Sequence, residues 1–141
     1  RSTFKHHCTL VKRYGELPAV YCIAAQLNQV FMNLIVNAAH AIQGRGVITL
    51  STWSRDDWVC VEVRDTGCGM SEEVRRRIFE PFFTTKPVGQ GTGLGLSLSF
   101  SIVQKHCGHI EVGSAPGVGT AFRVWVPVRR AQAEPTAAAD D

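Results

Sequence analysis

Asp65-Thr66-Gly67-Cys68-Gly69-Met70 ends an apolar stretch with a carboxylate and follows it with a glycine turn. Further along, Gly91-Thr92-Gly93-Leu94-Gly95-Leu96 is a second glycine turn, and it opens a helix. An aspartate accepts hydrogen bonds from an amine, and glycines expose backbone N–H groups that phosphate oxygens can approach, so these segments suit a nucleotide. Asn33 and Asn37 form a second constellation, stacked on one flank of a helical stretch at i, i+4 spacing. Asn competes with the backbone for hydrogen bonds and is a poor helix former, so two of them at that spacing need a reason. Two readings are open: a pair of solvated polar residues, or an oxygen lip for a hard cation.

The elements that must position these residues follow from periodicity. Leu27, Val30, Phe31, Leu34, Ile35, Ala38 and Ile42 form one stripe of a helix predicted over Ala25–Gln43, which Gly44 and Gly46 stop. Strands are predicted over Cys8–Tyr14, Ala19–Ile23, Val47–Ser54, Trp58–Asp65, His109–Ser114 and Thr120–Val126. Val59, Val61 and Val63 share a face, and Asp65 has the same parity. Its carboxylate is therefore aimed at the apolar side, where it costs free energy unless something donates to it. An adenine amino group could be that donor. Ser71 caps a short helix running to Ile78, and Leu94–His106 forms a second long helix that Gly108 stops. Between them Pro81–Gln90 is loop, and the part from Thr84 to Gly91 has few apolar anchors.

The bulk properties set bounds. A chain of 141 residues with 45% hydrophobic and 19% charged residues suits one soluble domain with a real core. The net charge of +3 favours an anionic ligand without pointing to nucleic acid. No run approaches a membrane span, and no signal peptide is visible. The five cysteines include no Cys-x-x-Cys pair and read as free thiols, and His106-Cys107-Gly108-His109 reads as a helix end followed by a strand start. Arg75-Arg76-Arg77 reads as a solvated face rather than a phosphate contact. Arg1–His7 reads as the cut end of a longer chain, residues 1–128 as one domain, and 129–141 as a disordered tail or linker. A Walker-type loop, a dinucleotide fingerprint and the serine/threonine-kinase motif set are all missing.

With those excluded, four motifs in fixed order carry a resemblance. Gln29–Ala38 resembles the N box, Asp65–Met70 the first glycine box, Ile78–Lys86 the F box and Gly91–Leu96 the second glycine box of sensor histidine kinase catalytic domains. Those domains belong to the superfamily shared with gyrase, the 90-kDa heat-shock chaperones and MutL. Ile102–His106 and Gly117–Thr120 also fit the family's closing segments. The resemblance implies an α/β (α+β) two-layer sandwich, a mixed, mostly antiparallel sheet with helices on one face, the Bergerat-type ATP-binding fold. It implies ATP and Mg²⁺. Asp65 would accept from the adenine amine, with Gly67 and Gly69 letting the backbone approach the base. Asn37 would ligate Mg²⁺, and Asn33 would stand by the phosphates. Gly91, Thr92, Gly93, Leu94, Gly95 and Leu96 would cradle phosphate at a helix start. The segment from Thr84 to Gly91 would be a mobile lid over ATP, Phe82 and Phe83 would brace it, and Lys86 would reach a phosphate.

Two departures shape the expected chemistry. Hydrolases of the superfamily carry a glutamate where this chain has Asn33, which cannot serve as a base at neutral pH, so transfer to a docked acceptor is favoured over hydrolysis. His40 replaces a basic residue common in the family. His6-His7 is followed by Cys8-Thr9-Leu10, not by the acidic residue of a phosphoacceptor. The acceptor is thus expected on a separate histidine-bearing dimerisation domain of the parent kinase, with a response regulator downstream and no nucleic-acid partner. The domain alone is expected to be monomeric and cytoplasmic, whether or not the parent is membrane-anchored. Two rivals are a non-catalytic nucleotide sensor and an ATP-driven dimerisation clamp. The intact boxes oppose the first, and Asn33 and the short Pro87–Gln90 segment oppose the second.

Overall fold

The computed structural model describes residues 8–15, 17, 22, 24–81, 83 and 95–128. Five strands, β1 (Cys8–Tyr14), β2 (Gly46–Arg55), β3 (Trp58–Asp65), β4 (His109–Ala115) and β5 (Gly119–Pro127), form one sheet in the order β1-β2-β3-β5-β4. Only β1 and β2 run parallel; every other neighbouring pair is antiparallel. Three helices complete the described fold: α1 (Ala24–Ala41), α2 (Glu72–Arg77) and α3 (Gly95–Lys105).

The core lies between one sheet face and the helices. Val30 and Leu34 of α1 and Val103 of α3 meet Ile48, Val63, Phe122 and Val124 of the strands. Each such side chain, fully withdrawn from water, contributes roughly 1.5–3 kcal/mol. This is the expected two-layer sandwich with helices on one face. The parity argument holds as well: Asp65 lies on the core side with Val59 and Val63 and is 4% exposed. The strand expected over Ala19–Ile23 lies outside the described residues apart from Cys22, which sits in a bend against the core.

Two helix ends differ from expectation. α1 stops at Ala41 rather than Gln43, because Ile42 turns tighter, its N–H reaching the Ala39 carbonyl at 3.3 Å. The α3 end is reversed in its logic. Cys107, not Gly108, takes the left-handed conformation (φ 64°), while the Cys107 N–H donates to Gln104 O and the Gly108 N–H to Val103 O. That pair of bonds is a Schellman motif with a cysteine where glycine is preferred. Gly108 is needed for another reason: a Cβ there would lie 2.1 Å from the Trp125 carbonyl oxygen. We therefore expect Cys107→Gly to raise stability. The relief of left-handed strain, ~1–2 kcal/mol, exceeds the added entropy of the unfolded chain, so a net gain of ~0.5–1 kcal/mol should appear in a denaturant melt.

The opposite sheet face is unusually well covered by its own side chains. Trp53 and Trp125 pack edge to face with centroids 6.0 Å apart, and His109 stacks on Trp125 and meets Trp58. Cys60 sits between Trp53 and Trp125 across the strands and is fully buried. That burial, with the Glu62 charge next in weight, pushes its thiol up to about 12. Glu62 accepts from Arg123 at 2.8 Å and from Arg64 at 3.1 Å. On α2 the arginines are used locally: Arg75 and Arg76 pair with Glu72 and Arg77 with Glu80, on a solvated face as expected.

Candidate nucleotide site

Asp65 ends β3 where the chain leaves the sheet. Its Oδ1 accepts the Gly67 N–H at 2.8 Å. Burial pushes the carboxyl above its ordinary range, and N–H groups of Gly67 and Thr120 oppose that rise by stabilising the charged form. A buried carboxylate with only partial backbone compensation is an acceptor suited to a ligand amine.

The following loop is held from two sides. Thr66 N–H donates to Val47 O, and Thr66 Oγ1 accepts the Val47 N–H, which fixes the loop to β2. Cys68 N–H donates to the Ala41 carbonyl at the end of α1, and Gly117 N–H donates back to Cys68 O. The glycines here serve this packing directly. A Cβ on Gly67 would lie 2.6 Å from Ala41 O. Gly69 has φ 73°, and a Cβ there would lie 2.0 Å from Ala115 O. The close approach read from the sequence is thus seen between segments of the protein itself. Ser114 completes the floor: its hydroxyl accepts the Met70 N–H, donates to Gly119 O and meets Thr120 Oγ1 at 2.8 Å.

At its other end the site is built by α1 and α3. Asn33 Nδ2 donates to Gly95 O and to Ser99 Oγ, both at 3.2 Å, and Asn33 Oδ1 accepts from Gln29 Nε2 at 3.0 Å. Asn37 follows one turn later, half-buried on the same flank, and His40 is exposed. One helix therefore touches both glycine boxes, at Asn33 and at Ala41, about 12 Å apart along its axis, with Asn37 midway. Gly95 is the exposed first residue of α3, and Leu96 packs on the core. Phe83 also packs on the core and lies under the Arg77 guanidinium at 4.5 Å. Phe82, Lys86, Gly91, Thr92, Gly93 and Leu94, with the lid segment, lie outside the described residues.

Sequence reasoning missed three contributors. Phe79 rests on Phe100 and Phe122, with centroids 5.1 and 6.4 Å away, so the F box is tied to α3 and β5 before the lid begins. Ser99 is fully buried inside an apolar helix face, and Ser114 is the hub of the loop floor. A serine at a core position of a helical stripe was the only available signal for Ser99. Nothing marked Ser114.

Comparison with known proteins finds the family and fold that the motifs led us to expect. Residues 22–130 match the family model described as histidine kinase-, DNA gyrase B-, and HSP90-like ATPase. The chain is 41% identical over 115 residues to the signal transduction histidine-protein kinase AtoS of Escherichia coli (strain K12), an alignment covering 81% of this chain and 19% of that protein. The solved catalytic domain of histidine kinase ThkA superposes with a TM-score of 0.76 at 32% identity, over 86% of this chain and 79% of that one. Full-length ShkA in complex with AMPPNP superposes with a TM-score of 0.81 at 27% identity, over 92% of this chain and 27% of that one. The chain thus spans about a fifth of the length of AtoS. It belongs to the histidine kinase-, DNA gyrase B- and HSP90-like ATPase family, as an ATP-binding catalytic domain of the sensor histidine kinase type with the Bergerat fold.

Proposed function

We propose that this domain binds Mg-ATP and donates its γ-phosphoryl group to a histidine on a separate dimerisation domain of the parent kinase, which then serves a response regulator. The observation that carries the reading is Asp65, a buried carboxylate at the foot of the loop that joins α1 to the β4–β5 turn. Adenine would present its amino group to the Asp65 carboxylate. The triphosphate would run along α1 past Asn37 toward the start of α3, where the N–H groups and dipole of a helix N-terminus favour anions.

The donor set fits a hard cation held mainly by the nucleotide. Among the described residues no three His, Cys, Asp or Glu side chains gather as ligands. Asn37 offers one neutral oxygen, so phosphate and water must supply the rest. Bound there, Mg²⁺ would neutralise developing charge on the phosphates. Asn37 would orient it, and the glycine-box N–H groups would fix the phosphates in line with the acceptor. Lys86, Gly91, Thr92 and Gly93 would join from the lid, with Phe82 and Phe83 bracing it. Asn33 has no basic form to activate water, so the domain should hydrolyse ATP slowly.

No helix among the described residues is long and apolar enough to cross a membrane. A domain drawing on ATP fits the cytoplasm, as a monomer when isolated from its dimerisation domain. The test is direct. The domain should bind ATP and, incubated alone with γ-labelled ATP, show no acid-labile phosphohistidine, whereas a supplied acceptor domain should become labelled. Label on His6 or His7 would place the acceptor in this chain and refute the division of labour.

A further inference from the structure

Asn33 and Ser99 are bonded in a way that the nucleotide reading does not by itself require. Gly95 O can only accept, so the Asn33 amide must turn its NH₂ toward it, and the observed 3.2 Å contact does so. The same NH₂ reaches Ser99 Oγ at 3.2 Å, and that hydroxyl donates to Gly95 O at 2.9 Å. The remaining Asn33 oxygen is taken by Gln29 at 3.0 Å. Ser99 is 0% exposed, and a buried hydroxyl is costly unless it is satisfied. Here it both donates and accepts within the triangle. Every polar atom of the Asn33 side chain is thereby engaged inside the protein, and the carbonyl they converge on is that of the first residue of α3.

We propose that Asn33 and Ser99 are positioning residues that clamp the first turn of α3 to α1, so that the start of α3 stands at a fixed distance from Asn37. This rests on the reading of the α3 start as the phosphate end of the site. It gives Asn33 a role exercised through α3 rather than on the phosphates. Asn37, one turn along the same helix, remains the group that meets the nucleotide. Because the three bonds share one carbonyl and one hydroxyl, they should behave as a unit, with losses that do not add.

The experiment compares the wild type with Asn33→Ala, Ser99→Ala and the double variant, none of which alters charge. Hydrogen exchange in the nucleotide-free protein reads the clamp directly. Amides of residues 98–100 should exchange about 10-fold faster in each single variant, the effect of one lost hydrogen bond. Calorimetry then reads the consequence. ATP affinity should fall about 10-fold in each single variant and no further in the double variant, while adenosine, which lacks phosphates, should bind as to the wild type. Exchange at 98–100 that matches the wild type in both variants overturns the clamp. So does an Asn33→Ala protein that loses ATP affinity while Ser99→Ala keeps it, because Asn33 would then act on the nucleotide itself. Equal loss of adenosine and ATP would mean general damage and also overturn it. A wild-type domain that binds neither ligand would refute the nucleotide reading instead, and with it the link from clamp to phosphate, whatever the exchange data show.

Discussion

Replacing Asp65 by asparagine should cost ATP affinity about 10- to 150-fold while leaving the free protein at least as stable as the wild type. Both halves follow from one geometry. The Gly67 N–H already holds Oδ1 at 2.8 Å. In the variant the amide oxygen must stay there, which turns the NH₂ toward the adenine amine and sets donor against donor. A hydrogen bond to a charged group is worth ~1.5–3 kcal/mol, which gives that range of affinity. The stability half comes from burial, which raises the Asp65 carboxyl above its ordinary value. A native state that binds a proton more tightly than the unfolded chain gains stability as pH falls through the native pKa. Above that pKa the ionised carboxylate is a cost to the free protein, and asparagine removes it. The melting temperature of the variant should therefore match or exceed the wild type at neutral pH, and the difference should close on acidification. ATP binding to the wild type should weaken over the same acidic window, because the amine needs the ionised form. Calorimetry of ATP and GTP, paired with melts across pH, checks all of this. Equal affinity for ATP and GTP, or a variant that binds ATP normally, would remove the adenine assignment.

Asn37→Ala should leave the fold intact and reduce phosphoryl transfer to a supplied acceptor domain at least ~100-fold. Groups that merely support a metal ligand are worth ~10–100-fold, and a direct ligand should be worth no less. Asn37 is half-buried on α1, next to the fully buried Ala38, and its side chain is not part of the core cluster. The melt should consequently move little. The defect should lie in Mg²⁺-dependent transfer, with adenosine binding retained. Transfer at the wild-type rate would show that the cation is held elsewhere.

How much of this was legible depended on the distance over which each signal acts. Strand parity placed Asp65 on the core side, because alternation is local and exact in period. The helical stripe gave Leu27, Val30, Phe31, Leu34, Ile35, Ala38 and Ile42 as core; Phe31 and Ile35 pack against it partly buried, and the other five are buried. The glycines of the first box were visible as a demand for close approach, but their partners, Ala41 and Ala115, lie far off in sequence and could not be read. Asn33 shows the same limit. Its i, i+4 relation to Asn37 was plain, yet its bonds run to Gly95 and Ser99, more than sixty residues away. The outer sheet face shows the limit again: Cys60, Glu62 and Trp125 are buried because cross-strand aromatic packing and two arginines cover them, and most of those partners come from other strands.

That covered face decides what light can report. All three tryptophans of the chain, Trp53, Trp58 and Trp125, stand on the side of the sheet away from the helices, while Asp65 and α1 lie on the other. Their emission should be blind to nucleotide entering the folded domain and should change only when the Trp53–Trp125–His109 stack comes apart. Occupancy would then show itself as a displaced unfolding midpoint on an unchanged native baseline. Saturation at 100 times Kd adds about 2.7 kcal/mol. The native chain thus carries its own affinity gauge, silent at equilibrium and legible in a melt.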